Sequence, residues 1–287
     1  MTPNPLARAR RLGTALLQLR EQHGYSHAEL SRKSTVSASV ISRLEYPYAD
    51  IGRRPNLRLV KKLLDALEVP RGTDRWIELE QYAEDVAGGW WDDDRYDGMG
   101  SGQRDAAIIE HGATEVDEYS GLLLPGLVQT AAYARHRALG APTVDAIVEG
   151  RTARQRIVQP GGATYRLILE EQAFRRQPVP AAVRLEQLRH LLQLGRQPNV
   201  SVRVLEVDVE ISDGAQPRSP FARMGYPDSA DPQIVRVDNV SGDLLVTSPA
   251  EVAGYAQLHQ RLCKAALSDA DSAAIITEVA ERLAAEI

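Results

Sequence analysis

The spacing of apolar residues near the N-terminus predicts a group of helices. The first predicted helix carries apolar residues at intervals of three and four positions, namely Leu12, Ala15, Leu16 and Leu19. Gly24 ends this helix, and Ser26 followed three residues later by Glu29 is a capping-box start for a second helix. After a turn, Ser37 is a good N-cap for a third helix. We therefore expect two short helices joined by a tight turn, followed by a further helix over 57–67.

The third predicted helix, over 37–45, has one apolar face and one polar face. Val40, Ile41 and Leu44 form the stripe that we expect to be buried. The opposite face carries small side chains and one arginine, namely Ala38, Ser39, Ser42 and Arg43. A loop over 46–55, marked by its prolines and a glycine, follows the helix.

The pattern changes beyond a loop over 88–103 that is rich in glycine, acidic residues and aromatics. The predicted helices of this second part lie at 106–116, at 125–139, from Thr143 onwards, around 185–192, at 252–262 and at 268–283. The predicted strands are the alternating stretches 165–169 and 200–205 and the short apolar runs 221–226, 234–237 and 244–247. The fold class is therefore α+β, with an all-α N-terminal helix-turn-helix domain followed by a larger mixed α/β C-terminal domain.

Length and charge divide the chain into two parts. Its 287 residues have room for two domains, which we place at 1–72 and 104–287 with a connecting helix and linker at 73–103. The net charge of -5 is unevenly distributed, because residues 1–72 contain 13 Lys and Arg against 6 Asp and Glu, a charge of +7, and the rest carries -12. A basic domain is attracted to a polyanion and an acidic one is repelled, which favours nucleic acid as the partner of the N-terminal domain.

The composition excludes several classes of protein. Hydrophobic residues make up 43% and charged residues 25%, the usual balance of a folded soluble protein. No apolar run of about eighteen residues and no signal-peptide pattern occurs, so we expect neither a membrane span nor secretion. The single cysteine, Cys263, forms no internal disulfide, which favours a reducing cytoplasm. Histidine spacing suits no metal and no catalytic set is evident, so we expect no cofactor, no metal and no enzyme.

The polar face of the third helix suits the major groove of DNA. A helix fits this groove, and short side chains let its backbone approach the bases. Arg43 is the candidate for a bidentate contact with guanine, and Ala38 for contact with a thymine methyl group. Ser39 and Ser42 are candidates for contacts with base edges or water. Contacts with phosphates are assigned to residues on and around the two helices, namely Arg32, Lys33, Ser37, Arg53 and Arg54.

Two stretches of the N-terminal domain match a known pattern, LGTALLQLREQHGYSHAELSRKSTVSASVISRLEY and RRPNLRLVKKLLDALEVP. Together they resemble the Cro/repressor-like (Xre-type) helix-turn-helix domain over nearly all of 6–70. The resemblance implies a DNA contact at His27, where the family usually has a glutamine that braces a phosphate. At the start of the recognition helix, Ala38 occupies a position where the family often has another glutamine. The loop after the recognition helix is longer than usual. The resemblance also implies a bracing ion pair between Arg20 and Glu45, although a solvated pair of little worth is equally compatible.

Ordered motifs of the C-terminal domain match a second pattern, among them LLLPGLVQTAAYARHRAL, GRTARQRIV, LILEEQAFRRQ and SPFARMGY. They resemble the large C-terminal domain of WhiJ-like regulators of actinomycetes. All but four of the 34 basic residues are arginines, as expected of a GC-rich genome. The resemblance implies a transcription factor that often acts beside a small protein encoded by a neighbouring gene, and a relationship to antitoxins.

Two groups of residues in the second part are candidates for contact with a ligand or partner. Arg151, Arg154 and Arg156 form a basic stretch in an acidic domain, which either binds an anion or forms salt bridges. Trp90 and Trp91 either cap a ligand pocket or anchor the linker.

These observations together predict a sequence-specific transcriptional regulator. One recognition helix contacts only a few base pairs, so we expect a homodimer on a palindromic or pseudo-palindromic operator in double-stranded DNA, in the cytoplasm at the nucleoid. The C-terminal domain then senses a small partner protein or a ligand. The alternative is an antitoxin-like interaction module that binds or neutralises a small adjacent-gene product, with DNA binding only autoregulatory.

Overall fold

The N-terminal part of the chain is helical. The computed structural model describes residues 3–47, 55–86, 88–175, 179–211, 216–239 and 242–287. The first five helices are α1 (Pro5–Gln22), α2 (His27–Ser34), α3 (Ala38–Glu45), α4 (Leu57–Ala66) and α5 (Asp74–Asp85). The helices predicted from apolar spacing are confirmed, and α1 begins earlier than its apolar stripe because Asn4 caps it and Pro5 occupies its first turn.

One hydrophobic cluster holds these helices together. Leu16 of α1, Ile41 of α3 and Leu63 of α4 are buried in it. Trp76 and Leu79 of α5 belong to the same cluster, so α5 packs with the four helices that precede it. Each large apolar side chain buried here contributes about 1.5–3 kcal/mol, which makes this cluster the main source of stability for the helical arrangement.

The chain forms two compact units. The N-terminal unit comprises Met1–Asp92, Ile108–Gly112 and Tyr226–Pro232, and the C-terminal unit comprises Asp93–Ala107, Ala113–Gly225 and Gln233–Ile287. Within the N-terminal unit, the buried Asn4 side chain donates to the carbonyls of Ile108, Ile109 and His111 at 2.8, 3.0 and 2.8 Å. Segments from far along the sequence thus complete the unit that α1 begins.

The C-terminal unit is built on a mixed sheet that has six strands in the part of the chain described. They are β1 (Glu115–Ser120), β2 (Thr164–Glu170), β3 (Val200–Leu205), β4 (Phe221–Gly225), β5 (Ile234–Val237) and β6 (Leu244–Val246), in the order β3-β2-β1-β4-β5-β6. Strands β1, β2 and β3 are parallel, whereas β4, β5 and β6 pair antiparallel. The later helices of the chain are α6 (Ser101–Glu110), α7 (Ala131–Arg137), α8 (Val144–Arg154), α9 (Gln172–Arg175), α10 (Ala181–Leu194), α11 (Pro249–Ala265) and α12 (Asp269–Ala285). The α+β class and the five predicted strands are confirmed.

Strand β1 lies where the end of a helix was predicted. The helix predicted over 106–116 is wrong in its second half, because α6 ends at Glu110 and Gly112 turns the chain at a φ of 70°. Acidic residues such as Asp117 and Glu118 are poor strand formers, which is why the pattern did not indicate a strand. In the fold, β1 pairs with β2 on one side and β4 on the other, and these neighbours supply partners for its buried acidic side chains.

The helix predicted over 125–139 is interrupted. A short 3-10 turn at Gly126–Val128 is followed by extended backbone at Gln129. The Thr130 hydroxyl then caps α7 by accepting from the Tyr133 amide at 3.2 Å. The apolar spacing continues across this break, so periodicity alone predicted one continuous helix.

Candidate nucleic-acid interface

Helices α2 and α3 are joined by a turn that side chains hold in place. Ser26 Oγ accepts from the Glu29 amide at 3.2 Å and the Glu29 carboxylate accepts from the Ser26 amide at 2.7 Å, which confirms the predicted capping box. Thr35 adopts a left-handed φ of 59° between the helices, and Lys62 of α4 donates to its hydroxyl at 2.9 Å. These contacts define where α2 begins and how the chain enters α3.

The outer face of α3 presents the residues predicted to contact bases. Ile41 is buried in the core, and half-buried Val40 and Leu44 pack beside it, which confirms the apolar stripe. The opposite face carries exposed Ser39 and Arg43 and half-buried Ala38 and Ser42. One long cation among small side chains suits bidentate hydrogen bonding to a guanine edge.

The start of α3 carries two hydroxyl groups. Ser37 stands at the N-cap position, but its side chain makes no capping hydrogen bond to the helix. Its oxygen lies 3.2 Å from the Ser39 hydroxyl instead. Both hydroxyls therefore sit where the helix dipole and the first backbone amides favour a phosphate.

A buried carboxylate connects α1, α2 and α3 behind this face. The Glu45 side chain is fully buried and accepts from Arg20 Nε at 2.7 Å and from Arg20 Nη2 at 2.9 Å. The expected Arg20–Glu45 pair is present, and it is not a solvated one. His27 Nε2 lies 2.8 Å from the same carboxylate while the His27 side chain is 35% exposed. We call the buried pair of Arg20 and Glu45 the brace behind α3. His27 contacts this brace and is also partly exposed at the surface.

Gly13 explains how closely α1 approaches α3. A Cβ atom at Gly13 would lie 2.9 Å from the Glu45 carbonyl oxygen and closer still to that of Leu44. Both obstacles are backbone atoms, so no side chain can move aside to make room. Sequence reasoning missed this residue, and the only available signal was a glycine inside a predicted helix, where it costs about 1 kcal/mol relative to alanine.

Further cations flank the two helices. Arg32 and Lys33 are exposed at the end of α2, where Lys33 donates to the Tyr25 hydroxyl and lies 4.3 Å from the centre of its ring. Arg58 is exposed in the first turn of α4 and adds a cation that the predicted set did not contain. The two remaining predicted phosphate contacts, Arg53 and Arg54, lie outside the described residues.

Part of the N-terminal charge is neutralised within its own unit. Arg11 Nη1 lies 2.7 Å from the Asp228 carboxylate and 3.2 Å from that of Asp231, and Arg8 Nη2 lies 3.0 Å from Asp228. Burial raises the pKa of Asp231, and the two arginines act in the opposite direction. The charge of +7 counted over 1–72 therefore overstates the cationic field that this part of the chain offers to DNA.

The candidate ligand contacts lie in different parts of the chain. In the C-terminal unit, Arg151 is half-buried and Arg154 is 6% exposed, whereas Arg156 is exposed to solvent. Trp90 and Trp91 belong to the N-terminal unit, where the buried Trp91 ring packs edge-on against a histidine ring with centroids 5.1 Å apart. The structure thus brings Arg151 and Arg154 together within the C-terminal unit, whereas the tryptophans belong to the N-terminal unit.

Comparison with known families covers both parts of the chain. Residues 16–72 match the family described as helix-turn-helix, and residues 103–278 match a domain of unknown function, DUF5753. No curated protein and no solved structure matches the chain. The first match contains α2 and α3 and supports a DNA-binding regulator. In the described part of the chain, no helix is long and apolar enough to cross a membrane, and no three His, Cys, Asp or Glu side chains are grouped to hold a metal ion.

Proposed function

We propose that this protein is a transcriptional regulator that binds a specific operator as a homodimer. The chain belongs to the family defined by DUF5753 and carries a helix-turn-helix domain. The observation that carries the proposal is the exposed face of α3, where Arg43 stands among small polar and apolar side chains. Such a face admits the helix to the major groove and leaves one long side chain to distinguish a base pair.

The contacts divide into those with bases and those with phosphates. Arg43 donates two hydrogen bonds to a guanine edge, and Ala38 lies near a thymine methyl group. Ser39 and Ser42 contact base edges directly or through water. The phosphate contacts come from the start of α3 and the end of α2, namely Ser37, Arg32 and Lys33, with His27 at the edge of the brace.

The brace behind α3 holds this face in an ordered position in the absence of DNA. Glu45 is held by Arg20 of α1 and by His27 of α2, so the C-terminal end of α3 is fixed against both neighbours. An element that is already ordered loses less conformational entropy on binding, which raises affinity without any further contact.

We propose a dimer because a regulator must distinguish its operator from the many other sites in a genome. One recognition helix contacts a few base pairs, and two helices placed about 34 Å apart contact two half-sites of a pseudo-palindromic operator. The charge of -12 carried by 73–287 makes that part unsuited to phosphate contact, so we assign the contact between subunits to it and the contact with DNA to the N-terminal helices. DNA binding of this kind places the protein in the cytoplasm, at the nucleoid.

The DUF5753 part is the proposed sensor. Its signal is a small ligand or a small protein encoded by a neighbouring gene. Co-purification of that protein with the full-length chain, from cells that express both genes, is the result expected if the protein is the signal.

The experiment for DNA binding begins by mapping occupied sites in cells and continues with gel-shift titration on the strongest site. Arg43→Ala is expected to lower specific affinity by about 1–3 kcal/mol, or about 5- to 150-fold, and to relax one base position. The matched control is Arg75→Ala, since Arg75 is exposed on α5 and its partner is Glu78 at 2.6 Å. Equal binding by Arg43→Ala and the parent chain would contradict the proposed role of α3.

A further inference from the structure

A large cavity lies in the C-terminal unit, beside the ends of β1 and β2. Its volume is about 1260 Å³, somewhat above the about 300–1,000 Å³ of most small-molecule sites. The loop that follows β1, helix α8 and the segment after β3 contribute to its lining. A cavity of this size admits a whole metabolite and not only an ion.

Arginine side chains converge on one side of this cavity. Arg137, Arg151, Arg154 and Arg236 all line it. A Cβ atom placed on Gly126 would lie 3.3 Å from Arg154 Nη1 and 3.7 Å from Arg151 Nε, so two guanidinium groups meet at one point of the wall. Positive charges brought this close together add their attraction for an anion in the cavity.

Neutral amides hold Arg151 in this position. Its Nη1 donates to Gln129 Oε1 at 2.7 Å and its Nε to Gln103 Oε1 at 3.3 Å. The amide nitrogens of both glutamines are occupied in turn, since Gln129 donates to the Leu124 carbonyl at 2.6 Å and Gln103 to the Met99 carbonyl at 3.1 Å. The two oxygens are therefore locked toward Arg151, which orients the guanidinium without cancelling its charge.

The electrostatic state of Arg151 reflects these surroundings. Burial, followed by the positive charges of Arg154, Arg137 and Arg236, lowers the pKa of Arg151 to about 10. A site that disfavours a cation in this way gains from the arrival of a negative group.

Four of the acidic residues that line the cavity lie close to partners of their own. Glu118 accepts from the Tyr165 hydroxyl and Glu170 accepts from the Tyr119 hydroxyl at 2.9 Å. Asp238 and Asp243 lie 3.3 and 3.4 Å from Arg236. Burial raises the pKa of Asp243, and the charges of Arg236 and Arg154 act in the opposite direction. Arg151, which neutral amides hold, is therefore the main cationic group that the wall offers to a ligand.

The same cavity is lined by apolar side chains that solvent reaches. Leu122 and Leu139 are each 69% exposed, Val207 is 59% exposed and Leu123 is 41% exposed. Large apolar side chains gathered around a concave site are a common feature of ligand sites, because covering them removes apolar area from water.

We propose that the cavity binds a small amphipathic anion. Its carboxylate, phosphate or sulfonate group lies on Arg151 and Arg154, and its apolar body lies against Leu122, Leu139 and Val207. This deepens the sensing half of the proposed function by naming the chemical class of the signal. It does not require DNA binding, since every residue involved belongs to the C-terminal unit.

The test is a fluorescence titration of the full-length chain with anilinonaphthalene sulfonate, an anion with an aromatic body. The matched probe is phenylnaphthylamine, which has the same ring framework and no charge. The parent chain is expected to bind the anionic probe at one site and more tightly than the neutral one. Arg151→Gln and Arg154→Gln are expected to weaken the anionic probe about tenfold, the effect of losing one charge-assisted hydrogen bond, and to leave the neutral probe unchanged.

Two further variants serve as controls. Arg156→Gln removes an exposed arginine two residues after Arg154 that does not line the cavity, and is expected to change nothing. Leu122→Ser is expected to weaken both probes. Thermal unfolding followed by circular dichroism verifies that each variant is folded.

Replacing a buried arginine can prevent folding, so a further test uses an exposed arginine of the cavity wall. Arg137 is exposed at the end of α7 and lines the cavity, so Arg137→Gln is expected to weaken the anionic probe about threefold. Its control is Arg135→Gln on the same helix, where Arg135 pairs with Asp145 at 2.6 Å. Unchanged affinity for the anion in all three cavity variants, or an equal loss for the neutral probe, overturns the proposal. The titration contains no DNA, so a failed search for an operator leaves its outcome unaffected.

Discussion

Replacing Gly13 with alanine tests whether α1 approaches α3 as closely as the structure shows. The added Cβ atom would lie 2.9 Å from the Glu45 carbonyl oxygen, whereas ordinary contact begins at 3.4 Å. The two helices must then separate by at least the difference between these values, and by more at Leu44, whose carbonyl oxygen is closer. Overpacking against backbone costs up to about 3 kcal/mol, because the obstacle cannot rotate away.

The net effect is smaller, since alanine is the better helix former. Within α1 the substitution gains about 1 kcal/mol of helix propensity, which leaves a loss of about 2 kcal/mol. For a unit of this size, such a loss lowers the unfolding temperature by about 10 °C. Because the displaced helix is α3, specific DNA affinity is expected to fall as well, at temperatures where the variant is still folded.

Thermal unfolding by circular dichroism and gel-shift titration measure the two effects. The matched control is Gly254→Ala in α11, where the added Cβ atom meets nothing within 4 Å. This control is expected to stabilise the chain by about 0.5–1 kcal/mol. If Gly13→Ala also raised the unfolding temperature and left DNA affinity unchanged, the close approach of α1 and α3 would be refuted.

Two further substitutions test buried charges. Glu45→Gln removes the charge that Arg20 and His27 contact and is expected to cost about 3–5 kcal/mol in urea unfolding, whereas Glu21→Gln on the exposed face of α1 should cost less than about 0.5 kcal/mol. Asp117→Asn tests the pH dependence: burial opposes ionisation, but hydrogen bonds from Arg166 and Arg223 outweigh it and hold the pKa of Asp117 below its usual value. A lowered folded-state pKa stabilises the protein above the unfolded pKa of about 3.9, and this contribution is lost as pH falls through the folded value. The deficit of Asp117→Asn should therefore be about 3 kcal/mol at neutral pH and shrink below about pH 4, and a deficit independent of pH would contradict the ionised pair.

The sequence predicted the helix-turn-helix closely because its signals are local. The capping box joins Ser26 to Glu29, and the core stripe of α3 joins positions three and four residues apart. Such contacts form whenever the segment is helical, and the residues that make them are only a few positions apart in the sequence. The strands β2 and β3 were predicted for the same reason, since alternation along one strand reflects the two faces of a sheet.

The brace behind α3 was predicted only in part. The family resemblance implied the pair of Arg20 and Glu45, but whether it is buried depends on the packing of α1 against α3. Gly13, which sets that packing, has no distinguishing neighbours in the sequence. The position of His27 against Glu45 likewise emerged only once α2 and α3 were placed together.

Local pattern by itself determined that this chain begins with a helix-turn-helix and continues as an α+β domain, because helices and strands differ in the period of their apolar residues. Tertiary structure alone decided how the charges are used. Asp117 of β1 meets Arg166 and Arg223, which are 49 and 106 positions away, and Arg11 meets Asp228 at a separation of 217. An acidic residue has the same local pattern whether it faces water or an arginine from a distant strand. The path of the chain makes this difference. It places β1, which contains poor strand formers, in the middle of the sheet, and it brings Arg151 and its neighbours to the wall of one cavity.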